Sequence, residues 1–375
     1  MKTAADHLLE LIRIPSDSSR SNRSVIEYAQ EAFCNAQWST ALSIDIDSLG
    51  IEKINLIAAP AGQNPEMPNA DLAFLCHTDT VPPAHGWTAA LAPFVDAGVI
   101  YGCGACDVKG FLACLLCAAT EMSKDSFRSG LRVALTADEE IGCLGSQRLL
   151  QKGKLLPRTL VIGEPTSLHP ARAGKGYCLG EMTIFGAEAH SAHPRQGRSA
   201  IYDAARVIQA IEEFAKQLVG PKNLFFDPAH TTINIGTISG GTAKNVIPAE
   251  CRFLVEWRPV PGETADYIPA AIERICKQMT QDDAAFRSDF KILRQQRGFE
   301  TAPDSNLVHT MEHLTGRDSI AISFGSEASV FASLAEEIVV FGPGDMRTAH
   351  SPRECVALAE LKEAVLCIKA LMQKE

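Results

Sequence analysis

No run of eighteen apolar residues occurs in the 375-residue chain, so no segment predicts a membrane-spanning helix. Cations are in deficit: 35 Lys and Arg stand against 45 Asp and Glu, a formal charge of −10. Such an acidic balance repels phosphate backbones and argues against nucleic acid as a partner. The opening segment, Met1 to Ser19, lacks the apolar block and small-residue cleavage site of a secretory signal. The expectation is therefore a cytoplasmic protein whose 12 cysteines are mostly thiols. No internal repeat and no low-complexity segment is found.

What the chain does have is an ordinary globular balance, 46% hydrophobic and 21% charged. At about 150 residues per domain its length predicts two to three domains. Leu8, Leu11 and Ile12 recur at helical spacing near the start. The apolar runs Ala73–Cys76, Leu131–Leu135 and Leu160–Ile162 read as buried strands. Between and after them Gly110–Met122 and Cys143–Leu150 read as helices, so the first part predicts an α/β domain with a largely parallel sheet. The order changes near Ala171. Strands are predicted at Gly176–Phe185, Thr231–Ile238, Ala249–Trp257 and Asp289–Gln295, with helices at Ser199–Val219 and Glu263–Met279. That order, βαββαβ, is the ferredoxin-like unit. The α/β pattern returns near Phe299, with a helix at Asn306–Leu314, a strand at Ile338–Phe341 and a helix at Leu358–Lys374. A small unit, 172–297, is thus predicted inside a larger one formed by 1–171 and 298–375.

Acidic and imidazole residues stand where the apolar runs stop. His77, Glu139, Glu140 and Glu164 follow predicted strands, Asp107 lies in a glycine-rich turn, and His350 follows Gly342-Pro-Gly344-Asp345. Ligands of open α/β sheets bind at the carboxyl ends of strands. Two histidines and four carboxylates brought together repel and take up protons unless a cation intervenes. Nitrogen and oxygen donors without thiolate suit zinc, manganese or cobalt. His77 and Asp79 are two apart, which on a strand puts both on one face and lets Asp79 accept from the His77 ring N–H. Glu139 and Glu140 are adjacent and point differently, so one is free to act as a base while the other binds metal. Alone, each of these residues reads more readily as structural; their shared position at strand ends raises the functional reading. Cys103, Cys106, Cys114 and Cys117 form two CxxC pairs, but the gap is short and the second pair sits in an apolar helix, so packing is expected rather than a zinc ribbon.

His77-Thr-Asp79-Thr-Val-Pro82, Gly104-Ala-Cys-Asp107-Val-Lys109-Gly110, Asp138-Glu139-Glu140 and Gly163-Glu164-Pro165 resemble, in order, the motif series of the dinuclear zinc aminoacylase and carboxypeptidase family. The resemblance implies a zinc-exopeptidase-like α/β/α catalytic domain carrying an inserted ferredoxin-like lid and dimerisation domain. It implies two Zn²⁺ per subunit, with Co²⁺ as an alternative: one on His77, Asp107 and Glu164, the other on Asp107, Glu140 and His350. Glu139 is then the general base and Asp79 the partner of His77. In the insert, His190, Asn245 and Arg258 match positions that handle the substrate carbonyl and carboxylate, the histidine often reaching across a homodimer. A planar guanidinium suits a carboxylate because it meets both oxygens at once. Val108 and Cys103 depart from residues common in the family, which bears on pocket shape rather than on ligands. Gly325-Ser-Glu327, Phe341-Gly-Pro-Gly344 and Ala349-His350-Ser-Pro352 are most similar to the acetylornithine deacetylase branch. The implied activity is metal-dependent hydrolysis of an N-acyl amino acid in arginine biosynthesis. N-acetylcitrulline, succinyl-diaminopimelate and dipeptides remain alternative substrates, and a non-catalytic binding protein is the rival of another class.

Overall fold

The fold is taken from a computed structural model, which describes residues 1–220 and 222–374. Two compact units divide the chain. One comprises Met1–Ala173, Glu300–Ile320 and the segment from Ser326 onward; the other comprises Gly174–Phe299 and Ala321–Gly325. Both boundaries of the insert fall two residues later than the 172–297 read from the sequence. Ala321–Gly325 belongs with the insert because the Lys175 backbone N–H donates to the Ile322 carbonyl, a contact between residues far apart in sequence.

The larger unit is built on a mixed sheet. Four strands, Leu131–Thr136, Asn69–His77, Leu156–Gly163 and Glu337–Phe341, are neighbours in that order and run parallel. Leu131–Thr136 is buried throughout, and Asn69–His77 along nearly all its length, which is why they read as continuous apolar runs. The sheet departs from the largely parallel expectation at its outer side. There Ser39–Ile46 and Glu52–Ala59 form an antiparallel hairpin, joined antiparallel to Leu131–Thr136. The outer strand alternates exposed and half-buried residues, so it offers no apolar block to find. Helices Ala4–Arg13, Lys109–Glu121 and Leu358–Met372 pack together over the sheet. Lys109–Glu121 is buried along almost its whole length, Cys114 and Cys117 included, and all twelve cysteines are free thiols. The CxxC pairs are packing residues.

The smaller unit is a four-stranded antiparallel sheet in the order Thr232–Gly240, Glu250–Arg258, Tyr177–Phe185, Arg287–Gln296. Helices Ala200–Gln217 and Tyr267–Asp282 bury Cys178, Met182, Ile184, Phe253, Val255 and Trp257 on one face. Because side chains alternate along a strand, Tyr177, Leu179, Glu181, Glu256 and Arg258 occupy the other face. This is the ferredoxin-like βαββαβ arrangement.

Candidate metal centre

Parallel strands deliver their carboxyl ends to one edge of a sheet, and chemistry-bearing residues of the larger unit gather at that edge. His77 is the last residue of its strand, beside Thr136. Its Nε2 lies 3.1 Å from Asp107 Oδ1 and 3.9 Å from Glu164 Oε1. Glu164 follows strand Leu156–Gly163, and its main chain is approached so closely by Gly342 that a Cβ there would stand 2.6 Å from the Glu164 carbonyl oxygen. Asp107 turns its other oxygen to His350, with Oδ2 3.0 Å from Nε2, and the same nitrogen lies 3.3 Å from Glu140 Oε1. Two donor groups result, His77–Asp107–Glu164 and Asp107–Glu140–His350, the donor atoms in each lying within 4.8 Å of one another. Asp107 belongs to both.

Asp79 occupies a different place from the one its spacing predicts. His77 Nδ1 meets the Asp79 backbone carbonyl at 2.9 Å, while the nearest carboxylate oxygen stands at 3.7 Å. The reason is that the strand ends at His77, so the alternation assumed for Asp79 has ceased. The Asp79 carboxylate instead accepts from the Ser18 hydroxyl at 2.7 Å and from the backbone N–H groups of Glu139 and Glu140 at 3.0 and 3.3 Å. It therefore holds the turn that presents those two glutamates. Glu139 Oε1 accepts from the Cys143 thiol at 3.2 Å.

The electrostatics expose the conflict in this cluster. Burial pushes Glu139 up to about 8, and burial with the neighbouring Asp107 drives Glu164 well above the carboxylate range. Burial also raises Glu140 and Asp79. Asp107 is held below its ordinary value despite burial, because His350 and His77 both hydrogen-bond to it. His350 rises to about 10 through Asp107 and Glu140, and His77 is raised against its burial by Asp107 and the surrounding carboxylates. Packed carboxylates pushed toward their protonated forms, facing imidazoles pushed toward their charged forms, make a donor set that divalent cations fit. The donors are nitrogen and oxygen, with no thiolate among them.

Three supporting residues have roles that the sequence does not assign, although Glu327 stands in one of the motifs quoted above. Glu354 is buried, and its Oε1 accepts from the backbone N–H groups of Cys106 and Asp107, each at 3.2 Å, fixing the loop that carries Asp107. Its proximity to His350 in the sequence is the only hint of it. Glu327 is fully buried and accepts from the Thr136 hydroxyl at 2.7 Å, with burial raising it to about 7. Lys53, 1% exposed, pairs with Asp138 at 2.6 Å and donates to the Ser18 carbonyl; nothing in its local sequence marks it.

The remaining candidates lie in the smaller unit. His190 and Asn245 are neighbours: Ala189–His190 pairs with Val246–Ile247, and the Ser191 N–H donates to the Asn245 carbonyl at 3.0 Å. Both side chains are exposed. Arg258 stands elsewhere. Its strand begins at Glu250, close to the His190 end, and Arg258 closes it eight residues on, about 26 Å away at ordinary strand rise. One copy of the insert does not bring Asn245 and Arg258 onto the same small molecule.

Residues 73–374 match the model of peptidase family M20/M25/M40. The chain is 41% identical to an acetylornithine deacetylase of Myxococcus xanthus, over 96% of this chain and 94% of that one. It is 29% identical to an acetylornithine deacetylase of Klebsiella pneumoniae, over 94% of each. Among solved structures it superposes on aminopeptidase PepT of Bacillus cereus with a TM-score of 0.75 at 21% identity, covering 98% of this chain and 97% of the other. A dinuclear metal-binding peptidase from the M20 family of Bacillus subtilis gives a TM-score of 0.69 at 14% identity, covering 98% and 96%. With most of its length inside that model and a relative this similar end to end, the chain belongs to peptidase family M20/M25/M40.

Proposed function

We propose that this protein is a dinuclear metalloenzyme that hydrolyses the amide bond of N-acetylornithine, working as a cytoplasmic homodimer in arginine biosynthesis. The observation that carries the reading is a pair of donor groups sharing Asp107, with Glu139 beside them, in a chain so similar to an acetylornithine deacetylase. His77, Asp107 and Glu164 would hold one divalent ion; Asp107, Glu140 and His350 would hold the second. Zinc suits this nitrogen and oxygen set, and cobalt is the alternative. When bound, such ions supply Lewis-acid polarisation of an acyl oxygen and an acidified water.

The chain's own residues do the rest. Glu139 takes the proton of the attacking water and returns it to the leaving amine. Its burial lifts its proton affinity toward neutral pH, where a base can serve both steps. Asp79 acts as a positioning residue through the Glu139 and Glu140 amides it receives. Glu354 holds the Asp107 loop. Arg258 anchors the substrate carboxylate, while His190 polarises the acyl oxygen and Asn245 assists beside it. The separation of Arg258 from His190 within one insert supports a homodimer in which the two contributions come from different copies.

Glu139→Ala tests the base. Bound metal should persist while deacetylation falls by at least about 10²- to 10⁴-fold; unchanged turnover would remove Glu139 from the role. The substrate is tested by comparing N-acetylornithine, N-acetylcitrulline, N-succinyl-diaminopimelate and simple dipeptides on metal-replete protein. Higher kcat/KM on a dipeptide than on N-acetylornithine would overturn the deacetylase reading.

A further inference from the structure

The open face of the inserted sheet carries two guanidinium groups against one aromatic ring. Arg258 Cζ lies 4.0 Å from the centroid of the Tyr177 ring, and Arg294 Cζ lies 4.6 Å from it. Regular pairing would not put Arg294 there. Ile292 opposes Gly180, so an unbroken ladder would set Arg294 opposite Cys178, whose side chain is buried beneath the helices. A bulge intervenes, and Arg294 opposes Leu179 instead. Because strand side chains alternate, that one-residue shift moves Arg294 from the helix-covered face to the face of Tyr177 and Arg258. Room for the ring is left by Gly325, where a Cβ would stand 3.1 Å from that of Tyr177.

The charges on this face do not balance. Glu256 accepts from Arg258 Nε at 2.9 Å, which leaves the two terminal nitrogens of that guanidinium without an acceptor among the described residues. Arg294 has the ring as its neighbour and no hydrogen-bond acceptor among the described residues. Two half-buried cations thus share one neutral ring and one carboxylate, with most of their N–H donors unused. A second planar anion would fill those donors in the fork geometry that guanidinium groups prefer.

We propose that Arg258 and Arg294 form a paired clamp for the substrate carboxylate, with Tyr177 as the positioning residue that stacks both. Arg294 is then a specificity-determining residue selecting substrates with a free carboxylate. The inference rests on the N-acyl amino acid reading above, and Arg294 has no part in that reading.

The experiment compares N-acetylornithine with its α-carboxamide on the metal-replete enzyme. Arg294→Gln should lower kcat/KM for the carboxylate about ten- to a hundredfold, mainly through KM, because a charge-assisted hydrogen bond is lost. On the carboxamide the same variant should change kcat/KM by less than about twofold. Arg294→Lys should fall between, keeping charge but losing the fork. Tyr177→Leu should follow Arg294→Gln, and Tyr177→Phe should stay near wild type. An equal loss on both compounds, or none on either, overturns the clamp. If the wild type ignores N-acetylornithine, the substrate assignment fails, and the comparison moves to whichever N-acyl amino acid it cleaves. If it cleaves none, calorimetric titration with ornithine and ornithinamide decides: equal ornithine affinity in wild type and Arg294→Gln removes Arg294 from carboxylate binding.

Discussion

Asp107 is the residue on which the centre turns, since one carboxylate oxygen faces each histidine. Metal-free, the cluster settles its repulsion with protons. His77 and His350 are raised, the latter to about 10, and Glu164 lies well above its usual range, so His350 holds a proton at pH 7 and the other two are shifted toward their protonated forms. Each must give up its proton to become a ligand. Loading the protein with zinc at pH 7 should therefore release protons, and apparent affinity should weaken as pH falls. Calorimetry in two buffers of different ionisation enthalpy measures the release directly. Binding enthalpies that do not differ between the buffers would mean that these groups are not the ligands.

Among the elements, the turn Asp138-Glu139-Glu140 shows how much support a base requires. Asp138 adopts a positive φ of 59°, which a non-glycine residue tolerates only when held. Lys53, from strand Glu52–Ala59, pairs with its buried carboxylate at 2.6 Å, and Arg148 adds a second contact at 3.2 Å. Removing one member of a buried pair leaves the other desolvated, so Lys53→Met should cost about 3–5 kcal/mol in chemical denaturation. A loss below about 1 kcal/mol would show that Arg148 alone satisfies Asp138. This element also marks where sequence reading stops. Strand Leu131–Thr136 and the glutamates after it are legible because a doubly buried strand is a continuous apolar run ending in charge. The hairpin that supplies Lys53 is not, since its outer strand is half exposed and its lysine looks like any surface lysine. The Asp79 contact is misjudged for a related reason: strand periodicity is valid only up to His77. The Arg294 bulge is a single inserted residue, marked in the sequence only by the adjacent apolar pair Ile292-Leu293.

For the molecule as a whole, the insert places His190 and Asn245 at a small two-stranded ribbon near the start of strand Glu250–Arg258, and Arg258 at that strand's far end. A homodimer allows one copy to supply what the other lacks. Mixing His190→Ala with Arg258→Ala, each inactive alone, should then restore about a quarter of wild-type activity, because random exchange makes half the dimers mixed and completes one of their two sites. No recovery after verified subunit exchange would place both residues in service of the same copy. The pairing of Tyr177 with Gln296 has a consequence of its own. The first and last strands of Gly174–Phe299 are hydrogen-bonded neighbours, so that segment ends about 5 Å from where it begins. A host fold interrupted there sees only a gap the width of one strand spacing, which a short loop would span. Replacing Gly174–Phe299 by such a loop should therefore leave the register of the larger sheet in place.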